Sequence, residues 1–269
     1  MSMNIQNPMK YSVRHRSYAA MAMALCLGIS TSLSADETDA KRLLKAMSDY
    51  LAAQKEISFD YDATLQVVTK EDQLLGLASS GSVVMNRPNK IHATRSGGFA
   101  DVDMSFDGST LTILGKNINK YTQIAAPGSV DQLVDVLRNQ YGRPLPAADL
   151  LMTNAYDELM ANVVDVKDLG SGVIGGMECD SLAFRKADVD FQIWIAHGDH
   201  PYPCRYVITS REIAGNPQYS IQVSNWKTGV EATRNDFVFK NPSNAEKVEL
   251  EDLKGAGDLP GNFSMGESQ

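Results

Sequence analysis

Hydrophobic positions change their period three times along this chain. From Ala40 to Gln54 (AKRLLKAMSDYLAAQ), Leu43, Leu44, Met47, Tyr50 and Leu51 recur at the spacing of one helix face, and Thr38 or Asp39 can cap the start. The period then falls to two. In SFDYDATLQVVT, Phe59, Tyr61, Ala63, Leu65 and Val67 alternate with Asp60, Asp62, Thr64 and Gln66, which predicts a half-buried strand over 58–69. Further strands are predicted over 77–86, 90–96, 101–106, 110–114 and 120–125. They are separated by Arg87-Pro88-Asn89, Gly97-Gly98 and the hairpin signal Asp107-Gly108. Six strands joined by short turns imply antiparallel neighbours.

Helical spacing returns at Ser129–Gln140, where Val130, Leu133, Val134 and Leu137 share a face and Ser129 is placed to cap it. The linker RPLP follows at 143–146, then short helical pieces over 147–160 (AADLLMTNAYDELM). Leu133, Leu137, Leu150, Leu151, Met152, Leu159 and Met160 make this insertion rich in flexible apolar side chains, which suit core gaps and adaptable binding surfaces alike. Strands resume at 163–169, lead through SGVIGG to 177–186, and continue at 189–196, 205–210 and 218–226. The sum is an α+β domain. About eleven antiparallel strands form a strongly curved sheet or incomplete β-barrel, with an N-terminal helix and a helical lid inserted between strands six and seven. From residue 241 the chain turns polar and Gly-rich, and a mobile tail is expected over 241–269.

Charge alters the reading of the first 35 residues. They hold Lys10, Arg14 and Arg16 but no acid, then the apolar run AAMAMALCLGIS and the small residues TSLSA. This is the order of a secretory signal peptide over 1–35, cut after Ser34 or Ala35. A buried N-terminal helix is the plainer alternative. Met9 would make a more ordinary start than Met1. Leu25 stands where a lipobox would put a small residue before Cys26. Cleavage would take the formal charge from −8 to −11 by removing three cations. An acidic mature chain argues against a nucleic-acid partner. No later stretch has the roughly 20 apolar residues of a transmembrane helix. The expected domains are therefore the signal peptide 1–35, a folded domain 36–240 and the tail 241–269, and the expected location is the periplasm.

Candidate chemistry is sparse. His197, His200 and Cys204 share a Gly/Pro-rich loop, where ligand geometry is not fixed as on a helix, so a solvated hairpin loop is the simpler reading and no metal is assigned. Cys179 and Cys204 would form an even pair in an oxidising compartment, and a disulfide between them would close a loop of about 25 residues. Against it, a meander puts a third strand between them, which exceeds the usual Cα separation. Both cysteines fall near one sheet end, where the connecting loop can bring them together, so the Cys179–Cys204 disulfide is expected, with two free thiols as the alternative. There is no G-x-S-x-G nucleophile elbow, and LGSGVIGG lacks the lysine of a phosphate loop. Asp60 with Asp62, and Asp101 with Asp103, read as solvated strand faces. No catalytic residue and no cofactor is assigned.

The stretches CDSLAFRKADVDFQIWI (179–195), GDHPYPCRYVIT (198–209) and LLKAMSDYLAAQKEISFDYD (43–62) resemble domain-of-unknown-function family 2092, predicted periplasmic proteins. The element order resembles the periplasmic lipoprotein carriers and their outer-membrane receptors. That likeness implies an incomplete barrel, lidded by helices, with an interior for acyl chains. It transfers no ligand contact to any residue here. The resulting expectation is a non-enzymatic protein that binds a hydrophobic ligand (lipid, acyl chain or lipidated protein). The alternative is an envelope protein–protein interaction module with a filled core. A hydrolase or metal enzyme stands third.

Overall fold

A computed structural model describes residues 32–98, 100–142, 145, 147–232, 236–253, 263 and 264. Most of the expected signal peptide, with Cys26, lies outside these residues. So do Pro144, Pro146 and most of the last sixteen positions.

Helix α1 spans Ser32–Ala53. Ala40, Leu44, Met47 and Leu51 form its fully buried stripe, and Glu37–Lys41, Asp39–Arg42 and Lys45–Asp49 pair on the wet side. The helix begins earlier than its apolar period suggests, so Thr38 and Asp39 lie inside it instead of capping it.

Six strands follow: β1 (Glu56–Thr69), β2 (Leu74–Asn86), β3 (Lys90–Gly97), β4 (Asp101–Phe106), β5 (Thr110–Gly115) and β6 (Lys120–Ala125). After the helical insertion come β7 (Asp165–Ile174), β8 (Met177–Arg185), β9 (Val189–Ala196), β10 (Pro203–Ser210) and β11 (Gln218–Thr228). The expected connection SGVIGG is mostly strand. β7 carries an irregularity between Asp168 and Ser171, then runs to Ile174, and only Gly175-Gly176 turn, both at positive φ. Two such residues give the hairpin turn whose twist matches the strands.

All these strands join one sheet in the order β6-β5-β4-β3-β2-β1-β11-β10-β9-β8-β7. The first meander runs outward from β1 and the second returns to it, so β1 and β11 pair in the middle, with Tyr61 opposite Val223. The two outer strands, β6 and β7, are joined through the insertion. It therefore crosses the concave face from one side of the sheet to the other. This is an incomplete, strongly curved antiparallel barrel with an N-terminal helix and a helical crossover. Two short strands were not foreseen. β12 (Glu246–Lys247) pairs parallel with β6, and β13 (Phe263–Ser264) pairs with β1. Ala245, Leu250 and Leu253 are buried, so the described chain is packed as far as residue 253.

The insertion contains α2 (Val130–Asn139), a 3₁₀ turn at Ala148–Leu151 and α3 (Ala155–Met160). Ser129 caps α2 as its sequence implies. Its hydroxyl accepts from the Gln132 backbone N–H at 3.2 Å, and its own N–H donates to Gln132 Oε1 at 2.8 Å. Two apolar clusters underlie the sheet. One joins α1 and α3 to β8, β9 and β10, including Leu44, Met47, Leu182 and Ile193. The other joins α2 to β1–β5, including Ile57, Met85, Phe106 and Leu133. Among the described residues no helix is long and apolar enough to cross a membrane.

Candidate ligand cavity

Between the concave face and the crossover lies a cavity of about 280 Å³. This is just under the range of about 300–1,000 Å³ for small-molecule sites. The sheet wall is built by alternation: Phe59 and Tyr61 of β1, Ile91, Ala93 and Arg95 of β3, Met104 of β4, and Tyr219, Ile221 and Val223 of β11 all line it. The opposite wall is Val130, Leu133 and Val134 of α2, Leu145, and Ala147, Ala148, Leu150 and Leu151 around the 3₁₀ turn. From Tyr219 to Trp226 the lining follows β11 over eight residues, seven steps or at most roughly 23 Å of strand at about 3.3 Å each. The void is an elongated apolar slot.

Of the seven insertion residues singled out from sequence, the cavity takes three: Leu133, Leu150 and Leu151. Leu137 packs into the α2 cluster. Met152 is buried with Val134 and Ala148. Leu159 and Met160 pack toward α1 and the β8–β10 side. Helical spacing marks an apolar face without saying which wall it meets. The sheet lining was not singled out, although its signal is the period-two alternation itself.

Gly81 of β2 makes room inside the slot. A Cβ there would stand 1.9 Å from the Thr94 carbonyl oxygen and 2.6 Å from the Tyr61 hydroxyl. With glycine in place, Tyr61 lies across β2 and donates to the Thr94 carbonyl at 2.8 Å. Burial raises the Tyr61 phenol above its usual range, against the opposing pull of Arg95. Burial, with a smaller push from Tyr61, lifts Tyr219 to about 12. Both are neutral hydroxyls at physiological pH. Trp226 stacks on Phe59 and on Tyr202, with centroids at 5.5 and 4.9 Å, and among the described residues its buried Nε1 has no hydrogen-bond partner.

Polar bonds fasten the crossover at several points. Arg87, half-buried just after β2, donates from Nη2 to the Leu151 carbonyl at 2.7 Å and lies 3.8 Å from Asp131. Asp131 accepts from the Thr153 backbone N–H at 3.3 Å and from its hydroxyl. The Tyr156 N–H donates to Ser48 Oγ of α1 at 2.9 Å, and Lys186 donates to the Glu158 carbonyl at 3.1 Å. Within the 3₁₀ turn, burial raises the Asp149 carboxyl above its ordinary 3.8. Tyr206, beside Asp149, is raised well above its ordinary value, first by burial and then by that carboxyl.

The two cysteines meet but are not bonded. β9 separates their strands, as the meander requires, and Cys204 sits at a register shift of β10 between Pro203 and Arg205. The sulfurs stand 2.9 Å apart as buried free thiols, against about 2.05 Å for a disulfide. The expected bridge is therefore corrected to a thiol–thiol contact, with the Cys204 thiol pushed up by burial. The His197–His200 loop does not converge on Cys204. His197 Nδ1 lies 3.5 Å from Asp180, and His200 packs on Tyr50 at 5.7 Å. Among the described residues no group of three His, Cys, Asp or Glu side chains could hold a metal ion.

No curated protein matches the chain. Among solved structures it is similar to the lipoprotein LppX of Mycobacterium tuberculosis, with 13% identity, 75% of this chain and 100% of that one covered, and TM-score 0.45. It is similar to LprF of Mycobacterium bovis, with 12% identity, coverage of 76% and 98%, and TM-score 0.45. It is also similar to a LolA superfamily protein of Nitrosomonas europaea, with 10% identity, coverage of 74% and 97%, and TM-score 0.33. Residues 40–251 match the model of the family described as predicted periplasmic protein (DUF2092), and the chain belongs to that periplasmic family.

Proposed function

We propose that this protein is a non-enzymatic periplasmic binder of a hydrophobic ligand, with an acyl chain held between the sheet and its helical crossover. The observation that carries the reading is the apolar slot of about 280 Å³. Roughly 30 Å³ for each water-sized group divides that volume into about nine groups, enough for much of one chain. Each methylene moved from water into the slot contributes about 0.8 kcal/mol. An interaction module would be expected to fill its core, and a void this size weighs against it. A free lipid, a lipidated protein and an acylated envelope partner would all present the same chain.

Titration of cis-parinaric acid into the folded protein tests the proposal. Saturable binding with a negative heat-capacity change is expected. Ala93→Phe, which fills the slot from a half-buried lining position, should abolish that binding while the protein stays folded by circular dichroism. Absence of saturable binding for every single-chain and two-chain lipid tried would reject the reading.

A further inference from the structure

A cation sits inside the slot. On β3 the inward-facing residues are Ile91, Ala93 and Arg95, all of which line the cavity. Arg95 stands opposite Gly81 on one side and Val102 on the other. Its Nε donates to Ser79 Oγ at 3.3 Å, and among the described residues it forms no ion pair with a carboxylate. This is not for want of acids, since the chain carries 33 Asp and Glu against 25 Lys and Arg. Alternation places the nearest ones on the other face. Asp103 and Asp101 pair with Thr94 and Ser96, the outward neighbours of Arg95, and face His92 and Lys116. Tyr61 and Tyr219, close enough for the guanidinium to act on their ionisation, are kept neutral by burial and do not cancel its charge.

We infer that the ligand is an acidic amphiphile whose chain fills the slot and whose anionic head group is held by Arg95. The inference rests on the hydrophobic-ligand reading above. The guanidinium offers a planar fork of donors that suits a carboxylate or a phosphate. Ser79 takes only one of its donors. Tyr219 lines the same slot, and its hydroxyl can add a neutral donor. A neutral head group would leave the cation without a counter-charge in a mostly apolar cavity, and a cationic one would be repelled.

The test compares cis-parinaric acid with its methyl ester at pH 7.5, in wild type, Arg95→Gln and Arg95→Lys. Wild type should bind the acid about tenfold more tightly, the difference expected for one charge-assisted hydrogen bond. Arg95→Gln should remove that preference and keep the affinity for the ester. Arg95→Lys should keep part of the preference. Competition by oleic acid, 1-oleoyl lysophosphatidic acid and monoolein separates the two anion sources: either acid displacing the probe better than monoolein supports the anchor, and the better of the two names its head group. Equal binding of acid and ester by wild type, or a preference that survives Arg95→Gln, would overturn the anchor and leave the apolar reading standing. Binding of neither probe by folded wild type would reject that reading itself. The wild-type comparison decides even where a variant fails to fold.

Discussion

Gly81 and Tyr61 show how one missing side chain shapes the cavity. With no Cβ at Gly81, the Tyr61 ring crosses β2 and its hydroxyl ends on the Thr94 carbonyl. Gly81→Ala forces the ring or the β3 backbone to move, and a loss of about 1–3 kcal/mol is expected, the usual cost of overpacking. Urea unfolding of the variant against wild type measures it, and an unchanged midpoint would refute the packing argument. Asp107 offers a second check at the same scale. Burial opposes its ionisation, but the backbone N–H groups of Thr110 and Ser109 and the Ser109 hydroxyl outweigh that and hold its pKa below 3.8. A depressed carboxyl stabilises the fold above its unfolded value and loses that contribution as pH falls through the folded one. Asp107→Asn should therefore destabilise the protein at pH 7 and matter less in strong acid, as thermal melts across that range would record.

Among the elements, the crossover makes the most specific claims. Raising the Asp149 carboxyl above 3.8 means that the folded protein holds this proton more tightly than the unfolded chain. The associated stability is complete below about pH 3.8 and is lost as pH rises through the folded value. Asp149→Asn keeps a polar group of the same size beside Tyr206 and removes the ionisable carboxyl. Its stability relative to wild type should rise from acid to neutral pH. A difference independent of pH would show that the carboxyl is not perturbed by its docking. Arg87→Met removes the donor to the Leu151 carbonyl and leaves Asp131 without its cation. A loss of about 1–3 kcal/mol is expected, with faster amide exchange concentrated at 148–160. Exchange rising evenly over the whole chain would argue against Arg87 as the pin of this segment. Much of this architecture could be read from sequence. Alternation and turn residues placed β1 to β6 and β8 to β11, and Ser129 marked the start of α2. The misreadings have local causes. Glycines at 170 and 172 looked like a loop but sit within β7. The two-residue β12 is fixed by the distant β6 and carries no pattern of its own. Leu137, Met152, Leu159 and Met160 could not be told from cavity residues, because an apolar helix face does not declare its partner. Arg95 broke the apolar alternation Ile91, Ala93 and so was legible in principle.

At the scale of the molecule, the slot exists because the chain returns to its own first strand. β1 has β2 on one side, made at once by a hairpin, and β11 on the other, with Asp60 opposite Ser224 and Ala63 opposite Ile221. Every residue of both meanders and the crossover is synthesised between those two strands. Such non-local pairing makes folding slow, on the order of milliseconds to seconds. Until β11 docks, β1 presents an open, partly apolar edge, the kind that recruits other chains. A chain ending at Ser210, before β11, is accordingly expected to aggregate, while the full chain stays monodisperse in light scattering. On the proposed function, assembly order also limits when a ligand can enter. Tyr219, Ile221, Val223 and Trp226 complete the slot from the last long strand to form, so loading must follow folding. On the proposed function, a chain whose β11 has not yet docked has no complete slot in which to hold a ligand.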